Sequence, residues 1–442
     1  MNNMSVLQTE QFKPTKESVM SHQVPEWYND CKLGIFIHFG LYSVPAYAPL
    51  GKQLGEVELD ERWYAYNPYA EWYLNSLRIG YGPTYEHHVK TYGKDFDYNQ
   101  FTEGLTCEHF NPKAWADLFK EAGAGYVVLT TKHHEGYCLW DSQYTDFNSV
   151  KTGPKRDILK ELNQELKAND LRLGVYYSGI IDWQYSKQPM MSQYQVDHPD
   201  NDTQEYADYA FNQVKELIDE YKPSLIWNDI LWPYAGMQRL PELLAHYYNT
   251  VAEGVIDDRW GEGYHDYTTK EYKMGERSLS EKWEMTRGIG HSFGYNELEG
   301  EDELISSREL IELLIDTVAY NGNLLINIGP KKDGSICPLQ AQRLKELGAW
   351  LKIHGEAIYK TRPYKLQHEP IDGGEIYYTC TDEAVYALCT KLTSRHLELL
   401  PQGSHAELIT PIHASLQMDD KLIIDIEDAI EDLSALVIKF KR

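Results

Sequence analysis

With 442 residues, the chain is long enough for one large hydrophobic core and a smaller one, because single cores rarely grow beyond about 250–300 residues. A formal charge of −26 and an isoelectric point near 5.0 repel phosphate backbones and anionic headgroups, which argues against nucleic acid and membrane as partners. Six scattered cysteines without a CxxC pair indicate neither a zinc knuckle nor a disulfide framework, and the lack of a long apolar run makes a soluble cytoplasmic protein the expectation.

Read from the N-terminus, short apolar runs alternate with amphipathic stretches of helical period, the pattern of parallel strands joined by covering helices. Strands are predicted over 32–40 (KLGIFIHFG), 125–133 (GYVVLTTKH), 171–179 (LRLGVYYSG), 223–229 (PSLIWND), 254–260 (GVIDDRW) and 323–330 (NLLINIGP). Helical patterns fall between them: PKAWADLFKEAGA, RDILKELNQELKAND, TQEYADYAFNQVKELIDEYK, LPELLAHYYNTVAE and SRELIELLIDTVAYNG. In the last of these Leu310, Leu313, Leu314, Thr317 and Val318 share a face, Ser307 is placed to cap the start, and Gly322 lies just past the end. Residues 51–93 show few regular runs and many Tyr and Trp, and read as long loops over a site, with His87 and His88 among them. After PLQAQRLKELGAWLKIHG, short alternating runs separated by polar turns begin near residue 356, as in a small antiparallel sandwich.

The unusual polar residues share one placement: nearly all stand at, or just beyond, the C-terminal end of a predicted strand. His38 ends the first, His133 and His134 the second, Tyr176 and Asp182 the third, Trp227 and Asp229 the fourth, and Arg259 the fifth. A closed parallel barrel gathers such ends on one face. An open doubly wound sheet would carry a Gly-rich phosphate turn after its first strand, and HFGLYSVPAYAP contains no GxGxxG. The expected architecture is therefore a (β/α)8-like barrel over residues 1–355 followed by a C-terminal antiparallel β-sandwich over 356–442.

Consecutive strand residues point to opposite faces, so His133 and His134 chelate a metal poorly unless the backbone turns between them. Three readings stay open for the pair: a metal, a hydrogen-bonded core histidine, or contacts to a polyhydroxylated ligand with Trp72 and Trp140 supplying apolar faces. An aromatic content of 13% suits a sugar cleft, although most such rings fill cores. Hydrolysis of a glycosidic bond needs two carboxyl groups. Asp229 ends an apolar strand, and the DILWP that follows it is a poor helix start, which favours a site role over a helix cap. For the second carboxyl, Asp182, Glu262, Asp266, Glu271 and Glu284 are not separable by spacing.

Seven blocks in one order, IFIHFGLYSVPAYAP, AEWY, TKHHEGYCLWDS, GVYYSGIIDW, LIWNDI, WEMTRGIGHSFGYN and NGNLLINIGPKKDG, make the stretch from about residue 27 to 360 resemble the retaining alpha-L-fucosidases of glycoside hydrolase family 29. The resemblance implies the same barrel and sandwich, a fucosylated oligosaccharide or glycoconjugate as substrate, and no cofactor or metal. It implies Asp229 as nucleophile, kept ionised by donors such as Arg259, and Glu271 as proton donor, with Glu284 and then Asp266 as rivals. By the same resemblance His38, Glu71, His133 and His134 look like ligands of the fucose hydroxyls. Trp72, Tyr176, Trp227 and Phe293 look like its walls, Phe293 facing the C5 methyl. His291 is a departure, a polar residue that faces an aglycone or solvent. The C-terminal domain either braces the barrel or binds carbohydrate, and association into a homo-oligomer stays open. The competing readings are a non-catalytic fucose-binding protein and a metal-dependent sugar hydrolase.

Overall fold

In a computed structural model, which describes residues 11–51, 61–272, 279–431 and 433–442, the six predicted strands pair in parallel with two more. Residues 1–10 and 52–60, which carry part of the N-terminal and loop expectations, lie outside the described residues. In chain order the strands are β1 (Leu33–Ile37), β2 (Tyr126–Lys132), β3 (Arg172–Ser178), β4 (Leu225–Asp229), β5 (Val255–Ile256), β6 (Thr268–Glu271), β7 (Trp283–Gly288) and β8 (Gly322–Ile328). Their spatial order, β5-β4-β3-β2-β1-β8-β7-β6, is the circular order of a (β/α)8-like barrel.

The ring is not closed by a strand ladder among the described residues, because β5 and β6 do not pair. Side chains and single amides bridge that seam. The Asp266 amide donates to Ile256 O (3.0 Å), the Asp258 carboxylate accepts from Thr269 N (3.1 Å), and Arg259 Nε donates to Thr269 Oγ1 (3.2 Å). β5 is correspondingly shorter than its predicted run of 254–260: after Ile256 the chain leaves extended pairing, Asp258 and Arg259 bridge the seam to Thr269, and Asp257 turns back to accept from Asn228 N on β4 (3.1 Å).

Helices on the outside cover the strands with one apolar face each. Helix Pro112–Glu121 buries Trp115, Ala116, Leu118 and Phe119, begins with proline in its first turn, and is capped by Asn111, whose side chain accepts from Ala114 N. In helix Ser307–Ala319 the cap is Ser306 rather than the predicted Ser307. Ser306 and Glu309 form a reciprocal capping box, Tyr320 ends the helix, and Gly322 already belongs to β8. The 51–93 segment is also more regular than expected. It contains helices Tyr73–Ile79 and Pro83–Thr91, so His87 and His88 are helical rather than loop residues. His87 stacks on Tyr47 at 3.7 Å, and His88 Nδ1 shares a 3.0 Å hydrogen bond with the Tyr73 hydroxyl.

Helix Pro338–His354 is the last to cover the barrel. Beyond it lie β9 (Arg362–Ile371), β10 (Gly374–Cys380), β11 (Ala384–Thr390), β12 (His396–Leu399), β13 (His405–Leu408), β14 (Ala414–Met418), β15 (Leu422–Ile426) and β16 (Leu436–Lys441). They form two antiparallel sheets, β13-β16-β11-β10-β9 and β12-β15-β14. A core that includes Ile376, Val385, Leu397, Ile424 and Ile438 is buried between them, and β12 shows the alternation expected of such a layer, with Leu397 and Leu399 inward and His396 and Glu398 outward.

Candidate active site

Inside a barrel, alternate residues of each strand point to the axis, so the last inward positions of neighbouring strands meet at one end. There they line a cavity of about 210 Å³. All the residues assigned by resemblance border it: Asp229 and Glu271, the histidines His38, His133 and His134, and Glu71, Trp72, Tyr176, Trp227, Arg259 and Phe293.

Arg259 organises the carboxyl groups. Its Nη1 donates to Asp229 Oδ1 at 2.7 Å and its Nη2 to Glu271 Oε2 at 2.9 Å, so one guanidinium fork holds both acids. The fork is itself held by Thr269 at the barrel seam and lies 4.5 Å above the Trp227 ring. The second Asp229 oxygen accepts from the Tyr176 hydroxyl at 2.7 Å. Burial pushes the Asp229 carboxyl up, but Arg259 above all, with the Tyr176 hydroxyl, outweighs it and holds the group well below the usual carboxylate range. Glu271 goes the other way: burial raises it, and Arg259 only partly opposes that. Two carboxyls on one cation therefore have opposite proton preferences.

The histidines reach the cavity because β2 stops at Lys132. His133 O accepts from Gly136 N at 3.0 Å, closing a turn in which Gly136 takes a φ of +81°. A Cβ there would lie 2.6 Å from Asp182 Oδ1, so glycine alone fits. With the backbone turned, the rings of His133 and His134 lie 4.1 Å apart on the same cavity wall. Their tautomers follow from their partners. Asn327 Nδ2 donates to Phe293 O at 2.7 Å, which turns its Oδ1 toward His38, so His38 Nδ1 is the donor in their 2.7 Å contact. Ser178 donates to Ile181 O, so His134 Nδ1 donates to Ser178 Oγ at 2.6 Å. Burial holds the His38 and His134 rings well below the usual histidine range, and His133 is lowered to about 3 for the same reason.

Glu71 closes the opposite side. Its carboxyl accepts from Gly294 N at 2.8 Å and from Ser292 Oγ at 3.3 Å, while burial raises it to about 7. Phe293 lies 4.9 Å from His38, Trp72 meets His134 edge-on at 5.4 Å, and Tyr176 stacks on Trp227 at 5.8 Å.

The alpha-L-fucosidase family model matches residues 1–356. The chain belongs to the alpha-L-fucosidase family. It is 36% identical over 405 residues to an alpha-L-fucosidase of Dictyostelium discoideum, covering 88% of this chain and 83% of that one, and 34% identical over 404 residues to a human plasma alpha-L-fucosidase, covering 86% and 79%. Among solved structures it superposes on a Thermotoga maritima alpha-L-fucosynthase bound to alpha-L-Fuc-(1-2)-beta-L-Fuc-N3, with a TM-score of 0.91, 43% identity, and 98% and 100% of the two chains covered. Superposition on the Thermotoga maritima alpha-fucosidase in complex with fucose gives a TM-score of 0.87 at 42% identity, covering 97% and 99%. This alpha-L-fucosidase is thus a glycoside hydrolase whose family implies a fucosylated substrate.

The rival carboxyls stand elsewhere in the alpha-L-fucosidase. Glu284, on β7, is wholly buried and accepts from Tyr28 Oη at 2.9 Å, from Tyr126 Oη and from Trp227 Nε1 at 3.0 Å, deep in the barrel below the cavity. Asp266 binds Tyr248 and the Ile256 amide, Asp182 is ion-paired with the buried Lys132 at 3.0 Å, and Glu262 is exposed beside Lys16. Trp140 does not face the cavity as expected: it is buried, and its Nε1 donates to Glu216 at 2.8 Å. His291 lines a separate depression with Arg287, while its carbonyl accepts from Tyr272. Trp63, Tyr64, Tyr69, Gln193, Val196 and Ile230 also border the cavity. The first three come from the aromatic 51–93 segment. Gln193 and Val196 sit on a short helix after β3 for which the sequence carries no periodic signal. Among the described residues, no three His, Cys, Asp or Glu side chains are grouped to hold a metal ion.

Proposed function

We propose that this enzyme removes terminal alpha-L-fucosyl residues with retention of configuration, by double displacement. The observation that carries the proposal is the Arg259 fork, with Asp229 on one nitrogen, held well below the usual carboxylate range, and Glu271 on the other, raised by burial. Asp229 attacks C1 as the glycosidic oxygen takes the Glu271 proton, giving a glycosyl ester. Water then attacks C1, Glu271 takes its proton, and fucose leaves with its original anomeric configuration. A retaining pair stands about 5–5.5 Å apart, a separation that two carboxyls on one guanidinium support.

A cavity of about 210 Å³, smaller than the roughly 300–1,000 Å³ that enclose drug-sized ligands, suits one sugar residue and hence exo action. His38, His133, His134 and Glu71 take the hydroxyls, and Trp72, Tyr176 and Trp227 the ring faces. Phe293 faces the C5 methyl, a choice over a hydroxymethyl sugar worth about 1–3 kcal/mol. The six cysteines are all unpaired, which supports a reducing, cytoplasmic setting. Hydrolysis of 4-nitrophenyl alpha-L-fucoside followed by proton NMR tests the mechanism: alpha-fucose should appear first. Beta-fucose first means inversion, and no turnover by folded protein leaves a fucose-binding protein.

A further inference from the structure

Behind the sugar-facing wall lies a carboxyl for which the mechanism above has no use. Glu135 is the third residue of the turn that follows β2. Its side chain is 1% exposed, and neither carboxyl oxygen has a hydrogen-bond partner among the described residues. It fits under the site because Gly40 lacks a Cβ, which would lie 2.5 Å from Glu135 Oε1. Beside it is His133, whose buried Nδ1 is also without a hydrogen-bond partner among the described residues and stands 3.4 Å from Glu135 Oε2.

His133 is the odd member of the three histidines. His38 and His134 each spend their Nδ1 proton on an oxygen behind the wall, which leaves Nε2 as a hydrogen-bond acceptor toward the cavity. His133 meets only a carboxyl, and its tautomer depends on whether that carboxyl gives or takes a proton. An ionised Glu135 would be a buried anion with no cation paired to it and only the amides of Glu135 and Leu41 turned toward it, an arrangement that costs more than the neutral acid. Lys132, the cation that acts on it, is committed to Asp182 at 3.0 Å. Burial first of all raises Glu135, to about 8, against the opposing amides of Glu135 and Leu41. Asp182 adds to the rise and Lys132 opposes it, while His133 itself is lowered.

We infer that Glu135 is a positioning residue that keeps its proton and donates it to His133 Nδ1, fixing His133 as the Nε2–H tautomer and so as a hydrogen-bond donor to one fucose hydroxyl oxygen. The wall then offers one donor between two acceptors, a pattern matched to hydroxyls that both give and receive hydrogen bonds. This rests on the assignment of the cavity to fucose, but the tautomer does not.

Two measurements test it. Nitrogen-15 NMR of histidine-labelled protein, with His133 assigned by its loss in His133→Gln, should show an unprotonated Nδ1 and a protonated Nε2. A protonated Nδ1 overturns the inference whatever the enzyme hydrolyses. Second, kcat/KM should fall about 10–100-fold in Glu135→Leu, the range for removing a group that orients a histidine ligand, and Glu135→Gln, whose amide can donate, should recover most of that loss. Monodeoxy fucosides separate positioning from general damage: the loss should vanish for the analogue lacking the one hydroxyl that His133 serves. Equal losses on all analogues, or Gln no better than Leu, overturn the inference. An Nε2–H tautomer in a protein that turns over no fucoside would leave the positioning intact and remove the fucosidase reading instead.

Discussion

Two carboxylate clusters share the interior of this barrel, and their hydrogen bonds run to opposite kinds of donor. At the mouth, Asp229 and Glu271 share a cation, Arg259. At the floor, Glu284 is served only by neutral donors, the hydroxyls of Tyr28 and Tyr126 and the indole of Trp227. Burial pushes each of these carboxyls up; Asp229 alone is pulled below its ordinary range, by Arg259 above all, whereas Glu284 settles at about 7. What separates them is depth along the strand. On β7 the inward positions are alternate, so Thr286 reaches the cavity while Glu284, two residues earlier, stops a layer below it. Reactivity follows from reaching the Arg259 fork.

The comparison breaks most visibly if the mouth anion is removed. Asp229→Gly should lower kcat on natural substrates by about four orders of magnitude, the scale of losing one member of a concerted set, and azide should restore turnover as fucosyl azide. A variant of near-normal activity would mean that the cation-held carboxyl is not the nucleophile.

A smaller effect separates the two glutamates. Glu271→Ala should cost about 10²–10⁴-fold in kcat/KM on a fucosylated oligosaccharide, the usual contribution of a general acid, and much less on alpha-L-fucosyl fluoride, whose leaving group needs little protonation. On the proposed roles Glu271 donates only while protonated, and its carboxyl is raised, so activity should decline as pH rises through that shifted pKa, and this alkaline limb should disappear in the variant. Glu284→Gln should affect both substrates alike. The reverse pattern would transfer the acid role to the floor.

These depths were only partly readable in one dimension. β1, β2, β4 and β8 are buried on both faces and each carries a short apolar run, LGIFI, YVVL, LIW and LLI, that marks it as a strand. β6 (TTKE) is half-exposed throughout, and β7 (WEMTRG) sets Glu284, Thr286 and Arg287 among its apolar residues, so neither reads as an apolar run, and both are absent from the predicted set. Without β7 in place, Glu284 could not be assigned to a layer, and it stayed a rival of Glu271. Trp140 failed differently. The chain turns at Gly136 and runs back antiparallel along the end of β2, where Cys138 bridges to Lys132 and Leu139 N donates to Thr131 O, a change of direction that side-chain period does not report. Asp229, His38 and the histidine pair were legible because strand ends converge in any such barrel.

Stability against pH gives the smallest effect and the sharpest contrast, because Glu284 and Asp229 act with opposite sign. A carboxyl whose folded pKa is raised binds its proton more tightly in the folded chain, so its contribution is complete below its ordinary value and is lost as pH rises through the folded one. For Glu284 that window runs from 4.5 to about 7. Asp229 is depressed below its ordinary 3.8, so its contribution is present above that value and is lost as pH falls. Glu284→Gln should therefore flatten the decline in Tm between pH 5 and 8 (roughly the Glu284 window) by a few degrees, on the order of 1–3 kcal/mol. Asp229→Asn should leave that decline intact and weaken the acid-side loss instead. If both variants flatten the same limb, the floor carboxyl is ionised throughout and the neutral donors around Glu284 hold an anion, as Arg259 does at the mouth.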